Sequence, residues 1–207
     1  SIGLVGSEMC IRDSITSEKF IRDQLIVDEG DPFNKILHAK SINKLRSKNL
    51  FSKVEFEILD TENADQKDIN ISIEEKPTGE LMAGAGHGTD GSTFSIGISE
   101  NNFKGEGVKL NSKLSLSEET VKGFIEYTHP NFAFSDRELS TSLESTVTDR
   151  LTNYGYKSSL NSVSLGTRYE QFENTFFSPK LSISSETLDT TSTASESYKK
   201  QDGSYFD

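Results

Sequence analysis

The sequence predicts a small α+β unit followed by antiparallel strands of the kind that build a transmembrane β-barrel, too few to close one. Three observations carry this prediction. Residues 15–48 show helical spacing, and residues 51–75 alternate apolar with charged positions. After Pro77 the helical period disappears, and segment after segment pairs one apolar face with one of Ser, Thr, Lys, Asn and Glu. The chain's 207 residues leave room for one or two domains. Its formal net charge of -11 argues against a nucleic-acid phosphate partner. Hydrophobic content of 32% is low for a soluble globule, which leaves disorder or a sheet wet on one side. Disorder lacks periodicity, and most of this chain is periodic. No apolar run approaches the ~18 residues of a membrane helix, whereas membrane strands carry only a weak hydropathy signal.

Residues 1–14, SIGLVGSEMCIRDS, lack the basic start and long apolar centre of a signal peptide. They resemble translated read-through of a sequencing adapter, so 1–14 is expected to be non-native. The alternative is a genuine strand with SIGLV as its apolar run. Cys10 is the single cysteine, so neither an internal disulfide nor a cysteine metal cluster can form. A first helix is expected over Ile15–Leu25, capped by Thr16 or Ser17, with Ile21 and Leu25 on one face. DEGDPFN then breaks the helix, turns, and offers Asn34 as the next cap. A second helix runs to about Lys48 with Leu37, Ser41, Ile42 and Leu45 aligned, and Asn49 suits the left-handed position that ends it.

Two strands follow. Val54, Phe56 and Ile58 alternate with Glu55 and Glu57, and Ile69, Ile71 and Ile73 alternate with Asn70, Ser72 and Glu74. DTENADQKD between them reads as a solvated hairpin loop without calcium-loop spacing. Helix, helix, strand, strand is an α+β unit that wants one more strand at its front, where residues 1–14 stand.

Beyond Thr78, Thr89-Asp90-Gly91 is a hairpin turn. The apolar positions then run Phe94, Ile96, Ile98; Leu110, Leu114, Leu116; Val121, Ile125, Tyr127; Leu139, Leu143, Val147; Val163, Leu165, Tyr169; and Phe177, Leu181, Ile183. Each segment matches the ~9–11 residues of a tilted membrane strand. Phe103, Tyr127, Phe132, Phe134, Tyr154, Tyr156, Phe176 and Phe177 gather near segment ends, as interface girdles do. Ser99–Gly107 reads as a polar loop with a shaping role, and the stretch from Thr187 to Asp207 as an exposed loop. A count of about six or seven strands falls short of the about eight in the smallest barrels. An ordinary soluble antiparallel β-protein is the competing reading.

Three phrases in order are specific: EGDPFN before a helix containing SINKLRSKNLFSKVEFEI, then DINISIEEKPTGEL, then GAGHGTDGSTFSIGISENNFKGEG. Together they resemble the BamA family, the outer-membrane protein assembly factors of Gram-negative bacteria, at the junction between the last periplasmic POTRA domain and the barrel. The resemblance implies a POTRA domain over 15–77 (β-α-α-β-β, its first strand missing or replaced) in the periplasm. It implies the N-terminal part of an outer-membrane barrel over 78–207. The implied function is insertion of β-barrel proteins into the outer membrane. The implied partners are unfolded outer-membrane proteins, accessory lipoproteins of the assembly complex and outer-membrane lipid. No cofactor, metal, nucleic acid or enzyme chemistry is implied.

By the same resemblance, Thr78–Gly88 is the seam strand of a lateral gate. Gly79, Leu81, Ala83, Gly84, Ala85, Gly86 and Gly88 would then pair with client strands. Glycine weakens a strand, and an edge with unpaired N–H and C=O groups is a template for another strand. The plainer reading is that these glycines relieve crowding at a curved corner. Val54, Glu55, Phe56 and Glu57, on the edge of the soluble sheet, are expected to dock a partner. The acidic face of Glu55, Glu57, Asp60 and Glu62 is a second docking candidate, and a charged edge that merely prevents aggregation is the alternative to both. GAGHG lacks the spacing of a nucleotide loop. His38, His87 and His129 are scattered and are expected to be solvated or interfacial. A transporter of the same superfamily, of the two-partner secretion type, and a structural or adhesive surface β-protein are the rival functions.

Overall fold

The structure, a computed structural model, describes residues 4–6, 15–27, 31–60, 66–88, 91–134 and 137–207. The expected turn at Thr89-Asp90, the loop at 61–65 and most of 1–14 lie outside the described residues. The chain divides into two units. One is the chain through Thr78 together with Asn101–Gly107; the other is Gly79–Glu100 with Val108–Asp207.

The first unit contains β1 (Leu4–Gly6), α1 (Glu18–Arg22), α2 (Lys35–Ser47), β2 (Phe51–Asp60) and β3 (Gln66–Glu75). Its sheet has the order β1-β3-β2, with β1 parallel and β2 antiparallel to β3. A short strand therefore stands where the sequence left room for one. Ser17 caps α1 by accepting from the Phe20 amide, but the helix is five residues long rather than the eleven expected. It stops because the Gln24 side chain donates to the Phe20 carbonyl, taking an acceptor of the last turn. The Ile26 amide then donates to Ser41 Oγ on α2, drawing the chain away from the helix axis. Asn34 caps α2 through the amides of Ile36 and Leu37, and Asn49 ends it at φ 57°. The core joins Phe20, Ile21, Leu45 and Leu50, with Ile69 and Ile71 forming a second cluster.

The buried face of α2 is His38, Ser41 and Leu45. His38 is thus not solvated as expected. Its ring lies 5.2 Å from Phe56 edge-on and 5.9 Å from Phe33. Burial lowers its pKa by penalising the charged form.

The second unit holds β4 (Gly79–Gly88), most of β5 (Gly91–Phe103), β6 (Val108–Ser117), β7 (Thr120–His129) and β8 (Glu138–Arg150). These are followed by α3 (Leu151–Tyr154), β9 (Tyr156–Phe172), β10 (Thr175–Phe177), β11 (Lys180–Thr190), α4 (Glu196–Lys199) and β12 (Gly203–Phe206). They form one nine-stranded sheet of order β12-β11-β9-β8-β7-β6-β5-β4, with β10 on β9. The sheet is open, with β4 and β12 as its ends. Two expectations are corrected. Ser99–Phe103 continues β5, leaving only residues 104–107 as turn. The polar tail is ordered: β11 extends to Thr190, and β12 pairs with it from Ser185↔Phe206 to Leu188↔Gly203. Backbone pairing supplies that strand without an apolar period, which is why the pattern hid it. Tyr156 is no girdle residue either; it is buried and stacks on Tyr198 at 4.4 Å.

The register sorts the two faces. Ser112, Ile125, Leu143, Val163 and Ile183 fall in one cross-strand row, and Lys113, Phe124, Glu144, Ser162 and Ser184 in the neighbouring row on the opposite face. One edge of the apolar band is stepped. Leu116, Val121 and Val147 end it on β6 to β8, whereas Val163 and Ile183 end it four residues earlier on β9 and β11. We call the end at which β4 begins the near end and the opposite one the far end.

Candidate functional site

Among the described residues β4 pairs with β5 alone, from Gly79↔Glu100 to Gly88↔Gly91, and all ten residues of β4 are exposed. The strand brings Gly79, Leu81, Ala83, Gly84, Ala85, Gly86 and Gly88 together on one sheet edge. Leu81, Ala83 and Ala85 lie opposite Ile98, Ile96 and Phe94 and extend the apolar face. Gly84, Gly86 and Gly88 lie on the other face, opposite Ser95, Thr93 and Gly91. A Cβ added at Gly86 or Gly88 would meet nothing within 4 Å, and one at Gly84 would meet only Ser95 Oγ, at 3.1 Å. Crowding therefore does not account for Gly86 and Gly88. From Ala83 to Gly86 the strand is narrow, with bare backbone on one face and alanine on the other. Its second edge has no strand beside it among the described residues. An antiparallel strand paired on one side keeps alternate N–H and C=O groups directed outward.

Val54, Glu55, Phe56 and Glu57 lie on β2, the outer strand of the three-stranded sheet. They share an edge, but one acceptor is already in use: Arg46 Nη2 donates to the Val54 carbonyl at 2.9 Å. Val54 is buried, while Glu55 and Glu57 are exposed. Lys53 binds Glu55 at 2.8 Å, and that hydrogen bond and charge raise the lysine's pKa. The Asp60 side chain and Glu62, expected on the same acidic face, lie outside the described residues.

A third cluster, within the first unit, was not among the expected sites. Asn102 Nδ2 donates to Thr16 Oγ1 at 2.8 Å, and its Oδ1 accepts from the Gly107 amide at 2.8 Å. The Ser17 amide donates to the Gly105 carbonyl at 2.8 Å. Gly105 (φ +74°) and Gly107 (φ +65°) are left-handed, and a Cβ there would strike the Ile15 carbonyl and the Phe20 ring. The Glu75 carboxylate accepts from the amides of Ile15 at 2.9 Å and Thr16 at 2.7 Å. Burial would raise its pKa, but the hydrogen bonds from Thr16 and Ile15 outweigh this and lower it. Only the two glycines, at fixed spacing after Asn102, marked this turn in the sequence.

No protein-family model matches the chain. The outer membrane protein assembly factor BamA of Neisseria meningitidis serogroup B is 28% identical over 145 residues, 62% of this chain and 18% of that protein. The same factor from Buchnera aphidicola is 26% identical over 130 residues, 62% of this chain and 21% of that protein. The chain thus spans about a fifth of the length of these relatives. The crystal structure of BamA from Haemophilus ducreyi lacking POTRA domains 1-3 matches its fold with a TM-score of 0.74 at 22% identity, covering 91% of this chain and 36% of that one. CdiB from Acinetobacter baumannii matches less well, with a TM-score of 0.57 at 16% identity over 100% of this chain and 39% of that one. The sequence relatives agree with the fold likeness, and the open antiparallel sheet corresponds to the barrel region of such a protein. The chain is thus similar in sequence to BamA outer membrane protein assembly factors and shares its fold with one of known structure.

Proposed function

We propose that this chain is the junction segment of an outer-membrane protein assembly factor and works without enzyme chemistry. In this reading residues 15–77 are a POTRA domain in the periplasm, 78–207 begin the barrel, and 1–14 are non-native. The barrel folds and inserts unfolded outer-membrane proteins by offering β4 as a template at a lateral gate. Accessory lipoproteins dock on the β2 edge at Val54–Glu57. The observation that carries the reading is β4 itself, a fully exposed terminal strand in which nothing crowds Gly86 or Gly88. In lipid an unpaired backbone group costs several kcal/mol, so such an edge favours pairing with an incoming strand. A transporter of the same superfamily is the second reading, and the weaker likeness to CdiB fits it. The test is Gly84→Val with Gly86→Val in the full-length protein. Stiffening β4 should slow client assembly several-fold, whereas normal assembly would remove the gate role.

A further inference from the structure

At the near end of the apolar face Arg137 lies over one ring of an aromatic pair. The Arg137 guanidinium carbon lies 5.2 Å from the Tyr169 ring centroid, and Tyr169 meets Phe177 edge-on at 5.7 Å. The Arg137 carbonyl accepts from the Phe132 amide at 2.8 Å, which closes the turn between β7 and β8. Phe132 in turn meets His129 edge-on at 6.0 Å. Phe132 and Phe177 are each about half exposed. Tyr169 shares the face of Leu165 and Val163, so this cluster borders the apolar band.

We propose that Arg137, Tyr169, Phe132 and Phe177 bind the phosphodiester of a glycerophospholipid in the leaflet at the near end. The inference rests on the proposed function, which places this face in the membrane. Stacking occupies the flat face of a guanidinium and leaves its N–H edge directed outward, where it matches two phosphate oxygens. A phospholipid phosphate lies at the margin of the hydrocarbon, next to acyl chains that the half-exposed phenyl rings can cover. The far margin of the same face has the opposite bias. There Asp149, Lys157 and Asp189 share a row, with Lys157 3.5 Å from Asp149. An anionic headgroup is thus favoured at the near margin and opposed at the far one. The other arginine–ring pair at the near end, Arg168 over Phe176 at 4.5 Å, lies on the polar face and serves as an internal control.

The experiment uses the full-length protein in vesicles of phosphatidylethanolamine and phosphatidylglycerol, released into detergent for native mass spectrometry. Retained phosphatidylglycerol should fall about fivefold or more in Arg137→Gln and partly in Arg137→Lys, but not in Arg168→Gln. Equal retention in Arg137→Gln, or an equal loss in Arg168→Gln, would overturn the site. Displacement by millimolar inorganic phosphate would also overturn it, since that marks a plain anion site. Heat-modifiable migration reports folding of each variant, and Arg137→Lys decides the matter if Arg137→Gln does not fold. Wild-type protein that fails to enter vesicles would sink the membrane reading itself, whereas an inserted protein without bound lipid sinks only this site.

Discussion

The side-chain amide of Asn102 donates to the Thr16 hydroxyl at 2.8 Å, joining two buried residues 86 positions apart. The same side chain accepts from the Gly107 amide, so one residue ties a strand end, a turn and the start of α1 together. Asn102→Ala should weaken the first unit by about 2 kcal/mol, roughly 30-fold in its opening equilibrium, since it strands a buried donor. Hydrogen exchange at the α1 amides reads this. A cycle with Thr16→Val should show less than additive loss.

Glycines in this chain should divide into two kinds. At Gly107 an alanine Cβ would strike the Phe20 ring from a left-handed backbone. Gly107→Ala should therefore cost more than about 2 kcal/mol. Gly86→Ala and Gly88→Ala meet open space and should fold with changes within about 0.5 kcal/mol. Comparable losses at all three, measured by the same exchange and by heat-modifiable migration, would contradict the distinction.

The first unit should lose stability with acid in two steps. Burial holds the His38 pKa below 6.5, so between the two values the unfolded chain binds more protons. Its contribution is complete above 6.5 and falls as pH drops through that window toward the folded pKa. Glu75 has a pKa held below 4.5, so its contribution is complete above 4.5 and is lost as pH falls below it. His38→Phe should remove the upper step and leave the lower, as followed by exchange at several pH values.

A charge placed on the apolar face should block insertion, and the same charge one residue away should not. Val163→Arg should cost about 2–4 kcal/mol in a bilayer, whereas Ser162→Arg on the opposite face should be tolerated. Vesicle insertion of the two full-length variants measures the difference. Equal effects would mean that the two faces do not see lipid and water.

The local features were legible and the long-range ones were not. Asn34 and Asn49 marked the ends of α2 because capping and a left-handed stop are properties of neighbouring residues. Alternation from Phe94 to Ile183 placed the sheet because period two survives without tertiary context. His38 escaped because helical spacing equally allowed a stripe through Leu37 and Ile42; Phe33 and Phe56 decided otherwise. β12 escaped because Gly203–Phe206 has no apolar period and exists by pairing with β11. Asn102 escaped because its partner is 86 residues away, and no local rule connects the two. On β4 the sequence marked Gly84, Gly86 and Gly88 at alternate positions, hence on one face, but only the register with β5 placed that face opposite Ser95, Thr93 and Gly91.

The most direct test of the strand-templating account is site-specific disulfide trapping in the full-length protein freed of its native cysteines. Single cysteines at Leu81, Ala83 and Ala85 would be paired with cysteines along a stalled client strand, and one at Leu143 in the sheet interior would serve as control. The account predicts cross-links from β4 that shift by two residues in step along both strands, with none from Leu143. Absence of β4 cross-links, or equal yield from Leu143, would contradict it.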